Sequence, residues 1–88
     1  MRLSRKSEYA LLALVEMAKL DEQDTIRIVD ICERCSIPKK YLEQILLQLK
    51  GTGYVKSVRG SQGGYRLAKN PEDITVAEII RLIDGPLA

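Results

Sequence analysis

Apolar residues recur along this chain at helical spacing in four places. Between Ser4 and Leu20, the residues Ala10, Leu11, Leu14, Val15, Met17 and Ala18 cover an arc wider than a surface helix needs. That width predicts a first helix packed on two sides, against its own core and against a partner chain. Asp21 to Thr25 is a polar loop, and Ile26 to Ile28 has the composition of a short edge strand. Ile28, Ile31, Cys32 and Cys35 then fall at i, i+3, i+4 and i+7, which predicts a second helix.

Leu42, Ile45, Leu46 and Leu49 repeat the same spacing in a third helix, over about 38–50. Pro38 is read as its first helical residue, where a missing N–H costs nothing. Gly51 and Gly53 are read as its terminators, each in a positive-φ conformation. Val76, Ile79, Ile80 and Ile83 make the fourth stripe. Thr75 and Glu78 before it form a capping box, Ile74 and Ile79 its hydrophobic staple, and Gly85 and Pro86 its stop.

Between the third and fourth helices the period changes. Tyr54 to Val58 has strand composition and Tyr65 to Leu67 supplies a returning strand. The tip between them, Arg59-Gly60-Ser61-Gln62-Gly63-Gly64, holds three glycines in six residues, which implies positive φ and close backbone approach. Two short helices joined by Ser36-Ile37, followed by a basic hairpin, predict a winged helix–turn–helix. The fold class is mainly α with a small β-hairpin wing, in one domain over 1–88.

Charge sharpens the picture. The net charge is only +2, but from Pro38 to Leu67 six cations (Lys39, Lys40, Lys50, Lys56, Arg59, Arg66) stand against the single acid Glu43. Arg2, Arg5 and Lys6 add a second basic group at the mouth of the first helix. There a helix N-terminus and three cations would together favour a phosphate. This is the footprint of a nucleic-acid-binding face. The third helix turns Lys40, Glu43 and Gln44 away from its apolar stripe, with Lys39 beside them. Glu43 suits a cytosine amino group and Gln44 suits adenine; the plainer role for Glu43 is an ion pair with Lys39 or Lys40. Leu47 also lies opposite the stripe, where it would meet a thymine methyl or a partner chain.

Other classes are excluded by what the chain lacks. No apolar run approaches the ~20 residues of a membrane span, and Glu8 and Glu16 interrupt the N-terminal apolar run that might suggest a signal peptide. A cytoplasmic protein without a membrane partner is expected. Cys32-Glu33-Arg34-Cys35 is a C-x-x-C, yet there is no histidine and no second cysteine pair, while structural zinc wants four ligands. Both sulfurs fall on the apolar face, so they are read as core packing, and as thiols. The glycine-rich tip is no nucleotide cradle, because such loops open a helix. Without histidine or a nucleophile–base spacing, an enzyme is not expected.

Three motifs in order carry a resemblance: M-R-L-S-x-K-x-x-Y-A at the N-terminus, Y-L-E-Q-I-L-x-x-L at Tyr41 to Leu49, and V-R-G-x-x-G-G-Y-R-L at Val58 to Leu67. Along essentially the whole chain the sequence resembles the Rrf-type family of bacterial winged-helix transcriptional regulators. The resemblance implies a homodimer on partly palindromic double-stranded promoter DNA, acting as a repressor. Base reading is expected from Lys40, Tyr41, Glu43, Gln44 and Arg59, although the family usually has a small residue or serine in place of Lys40. Backbone contacts are expected from Arg2, Arg5, Lys6, Lys39, Lys56 and the wing residues Gly60, Ser61, Gln62, Gly63 and Gly64. Family members continue past Gly85-Pro86-Leu87-Ala88 into a cysteine-bearing loop, which holds an iron–sulphur cluster in some, and then a long dimerisation helix. Residues 1–88 include neither, so no cofactor is expected in this chain, and a cluster would require that loop. Glu8 stands where some members supply a cluster carboxylate; it is read here as an exposed glutamate. A winged-helix module that docks proteins instead of DNA is the alternative.

Overall fold

The structure, a computed structural model, describes residues 3–85. In chain order it comprises α1 (Arg5–Ala18), α2 (Ile28–Cys35), α3 (Lys39–Gly51), β1 (Val55–Val58), β2 (Gly64–Leu67), a 3-10 turn (Pro71–Asp73) and α4 (Val76–Asp84). The core forms where the stripes converge. Leu42, Ile45, Leu46 and Leu49 of α3 are fully buried against Ala10, Ala13 and Met17 of α1, Ile31 of α2, Val55 of β1, and Ile79 and Ile83 of α4. Cys32 and Cys35 pack against this cluster as partly buried free thiols, and burial pushes both above the usual thiol range.

The turn between α2 and α3 depends on one residue. Ser36 adopts the left-handed conformation (φ 54°), and the Ile37 N–H donates back to the Cys32 carbonyl at 3.1 Å. Ile37 is thereby driven into the core, and α3 departs in a new direction. Pro38 is not the first helical residue: its backbone is extended (ψ 134°) and it is the N-cap, its carbonyl accepting from the Leu42 N–H at 3.1 Å. The extended ψ lets the chain leave the turn before the helix starts at Lys39.

The end of α3 also departs from expectation. Gly51 is the last helical residue; Gly53 alone takes positive φ (86°). Gly53 N–H donates to Lys50 O at 3.1 Å and Tyr54 N–H to Leu49 O at 2.9 Å, the paired bonds of a Schellman end. One glycine suffices, because that motif needs only one left-handed residue.

The hairpin is antiparallel, with Val55 opposite Leu67, Lys56 opposite Arg66, Ser57 opposite Tyr65 and Val58 opposite Gly64. Gly64 therefore belongs to β2 and not to the tip. The predicted strand at 26–28 shrinks to a bridge at Ile26, which exchanges both backbone bonds with Tyr65 (2.9 and 2.8 Å), because Ile28 already begins α2. This bridge ties the wing to the segment entering the helix–turn–helix.

Two polar clusters fix α1. Ser4 caps it, accepting from the Ser7 N–H at 3.0 Å, and both serine hydroxyls donate to the Asp84 carboxylate at the end of α4. Glu16 takes Lys19 at 2.9 Å and Arg34 of α2 at 3.5 Å; chiefly the Lys19 hydrogen bond, with Arg34 behind it, holds its carboxyl below the ordinary range. On α4, Thr75 Oγ1 accepts from Glu78 N–H at 3.2 Å, as a capping box requires. Val76 is 58% exposed, since the first turn of α4 lies at the edge of the core. Leu12 and Val15 on the outer side of α1 are likewise exposed; the wide arc is not fully covered within the described residues. Pro86, read as part of the helix stop, lies outside them.

Candidate nucleic-acid interface

Burying 42, 45, 46 and 49 leaves the other face of α3 no choice but solvent. Lys39, Lys40, Tyr41, Glu43 and Gln44 are all exposed there, as is Leu47 at 68%. The surface on either side of this face is concave. On one side, Lys39 and Glu43 line a groove shared with Ser57, Val58, Gly60 and Gly63 of the hairpin, closed by Ile28 and Val29 at the start of α2. On the other side, Tyr41 and Gln44 line a hollow shared with Arg5, Lys6 and Tyr9 of α1. The exposed face of α3 thus stands between the wing and the beginning of α1.

Tyr9 and Tyr41 join these elements, their ring centroids 6.3 Å apart and tilted by 36°. Lys40 Nζ lies 5.4 Å from the Tyr41 ring centroid, within cation–π range. Among the described residues the ion pairs are Lys19–Glu16, Arg34–Glu16 and Arg27–Asp30. Arg5, Lys6, Lys39, Lys40 and Arg59 are in none of them, and neither is Glu43. The pairing of Glu43 with Lys39 or Lys40 is not formed, so its carboxylate is free to accept from a ligand.

The wing residues divide. Arg59, Gly60, Ser61 and Gln62 are exposed at the tip, and Gly60 has φ 111° with open space around it. Arg59 adjoins Gly60 but is not one of the groove's lining residues. Gly63 and Gly64 are glycines for an internal reason. A Cβ on Gly63 would collide with the Val58 carbonyl, and one on Gly64 would lie 2.6 Å from Ile26 O. The close approach predicted from the glycines is the hairpin meeting its own chain. The Thr25 hydroxyl, unnoticed in the sequence, pins the tip by donating to Gln62 O at 2.7 Å.

Two basic features lie apart from this arrangement. Lys56 is not among the residues lining the groove beside α3; it lines a separate hollow with its cross-strand partner Arg66 and the 21–24 loop. The α1 N-terminus is not vacant for a phosphate either, since the Asp84 carboxylate already sits there on Ser4 and Ser7 (2.5 and 2.8 Å). Those hydroxyls, Ser4 first, hold the Asp84 carboxyl below its ordinary range. Arg5 and Lys6 therefore bring their side-chain charges alone. Arg2 lies outside the described residues. Tyr9 was missed, although the Y of the N-terminal motif was a signal for it.

The donor set does not fit a metal or cluster. Among the described residues no three His, Cys, Asp or Glu side chains gather closely enough to hold one. Cys32 and Cys35 pack against the core, where burial pushes both thiols up, and Glu8 is exposed on α1. No helix among the described residues is long and apolar enough to cross a membrane.

Known proteins resemble this chain along nearly its whole length. The model of the Rrf2 family, described as an iron-dependent transcriptional regulator, matches residues 3–88. An rrf2-like HTH-type transcriptional regulator of Rhodobacter capsulatus is 44% identical over 98% of this chain and 59% of its own length. The structure of CymR, the global cysteine regulator of B. subtilis, superposes with a TM-score of 0.90 at 36% identity, covering 98% of this chain and 67% of that one. T. potens IscR gives a TM-score of 0.89 at 40% identity, covering all of this chain and 64% of that one. The chain thus spans about three fifths of the length of the R. capsulatus relative.

Proposed function

This chain belongs to the Rrf2 family of transcriptional regulators, and from that premise we propose that it binds double-stranded promoter DNA, α3 in the major groove and the wing tip in the minor groove. The observation that carries this reading is the groove shared by Glu43 and the hairpin: the Glu43 carboxylate, in no ion pair among the described residues, and Gly60 and Gly63 of the wing line one common space. Lys39, Lys40, Arg5 and Lys6 displace counterions at phosphates, giving affinity that carries no sequence information. Glu43 and Gln44 supply base choice, with Tyr41 and Lys40 at the same end of the helix. Arg59 reads the width of the minor groove.

The partner is a second copy of the chain, so that two α3 helices meet successive turns of a partly palindromic site. The protein works in the cytoplasm as a promoter-bound regulator, not an enzyme. Selection of duplexes from a random pool, followed by anisotropy titration at several salt concentrations, tests the proposal. The logarithm of the binding constant should fall linearly with the logarithm of salt. Absent or salt-insensitive binding would instead favour a module that docks proteins.

A further inference from the structure

Beyond Val58 and Gly64, where strand pairing ends, the hairpin closes through a turn in which the Gly63 N–H donates to Gly60 O at 2.9 Å. Ser61 and Gln62, in the middle of that turn, are exposed, and Gly60 has open space around it. Among the described residues, one side-chain hydrogen bond reaches this tip from outside the hairpin: Thr25 Oγ1 donates to Gln62 O at 2.7 Å, across 37 positions. Thr25 is a firm anchor. Its neighbour Ile26 exchanges both backbone bonds with Tyr65, and Gln23 Oε1 accepts from Arg66 Nη1 at 2.8 Å. Those contacts already seat the strands, so what the Thr25 hydroxyl adds is a hold on the tip.

We infer that Thr25 is a positioning residue for the wing: through the Gln62 carbonyl it holds the turn, and with it the adjoining backbone of Arg59, in one conformation before DNA arrives. This role rests on the DNA reading, in which Arg59 enters the minor groove, and it requires no contact between Thr25 and the duplex. A glycine-rich turn loses much conformational freedom on entering a groove, and a turn held beforehand loses less. The hydroxyl carries the effect and the methyl group of Thr25 does not. Valine, of nearly the same shape, therefore removes the hold, and serine keeps it.

The test is a double-mutant cycle on the selected duplex. Thr25→Val should weaken binding about fivefold, the effect of one neutral hydrogen bond, and Thr25→Ser should bind nearly as wild type does. In an Arg59→Ala background, Thr25→Val should cost less than about twofold, since the side chain it positions is gone. Without DNA, Thr25→Val should speed amide exchange at Gly63, whose N–H closes the turn, and leave Tyr65 on the Ile26 bridge unchanged. Unaltered exchange at Gly63 overturns the inference, as does an equal loss of affinity with and without the Arg59 side chain. A wild type that binds no duplex refutes the DNA reading and the inference with it; a wild type that binds while Thr25→Val loses nothing refutes the inference alone.

Discussion

Ser7 and Asp84, 77 positions apart, are joined by a 2.8 Å hydrogen bond from a fully buried hydroxyl to a carboxylate. With Ser4 on the other carboxylate oxygen, this contact closes the chain on itself and locks the end of α4 to the start of α1. Removing the buried hydroxyl in Ser7→Ala should lower stability by about 1 kcal/mol, read by denaturant unfolding. The carboxyl of Asp84 is held below its unfolded range, so its stabilisation is complete above the unfolded value and lost as pH falls through the folded one. Wild type should accordingly lose more stability than Asp84→Asn between about pH 5 and pH 2.

The two glycines at the end of α3 should respond in opposite directions. Gly51 is helical with open space around it, so Gly51→Ala should stabilise by up to about 1 kcal/mol. Gly53 has φ 86°, so Gly53→Ala should cost about 1 kcal/mol despite equal space. Thermal unfolding of both variants checks the pair.

Gly64 should not tolerate a side chain. Gly64→Ala puts a methyl 2.6 Å from the Ile26 carbonyl and must disturb the bridge between Ile26 and Tyr65. The expected outcome is weaker binding to every duplex with net charge unaltered, together with faster amide exchange at Tyr65. Gly60→Ala, in open space but at φ 111°, should disturb the tip alone.

The separate faces of Lys39 and Lys56 should show in salt dependence. Lys39→Ala should weaken all duplexes alike and reduce the slope of log affinity against log salt by about 1. Lys56→Ala should leave that slope nearly unchanged, because its side chain lines the hollow beside Arg66. Equal reductions of slope for the two variants would place both side chains on the phosphates and contradict the assignment of Lys56 to the separate hollow.

Local features were legible in the sequence because local rules set them. The stripe of Leu42, Ile45, Leu46 and Leu49 locates α3, and Thr75 with Glu78 locates the start of α4, since each signal lies within a few residues of what it determines. Pro38 and Gly51 were misplaced by a single residue or role, because a proline or glycine fits two adjacent positions at a helix end equally well. Long-range pairing was not legible. Nothing near Ser7 announces Asp84, and nothing near Lys56 tells which hairpin face meets the 21–24 loop; both follow from how elements pack. The candidate interface was legible to the extent that one helix face carries it, and Tyr9 was missed because its partner Tyr41 lies on another helix.

Glu43, on the face of α3 that borders the wing, is proposed to read bases. Competition binding of wild type and Glu43→Ala, using the selected duplex and its full set of single base-pair variants, decides whether it does. The variant should lose about 1–3 kcal/mol of discrimination at one or two base pairs and keep its preference elsewhere. A preference profile identical to wild type at every base pair would show that Glu43 does not read the sequence.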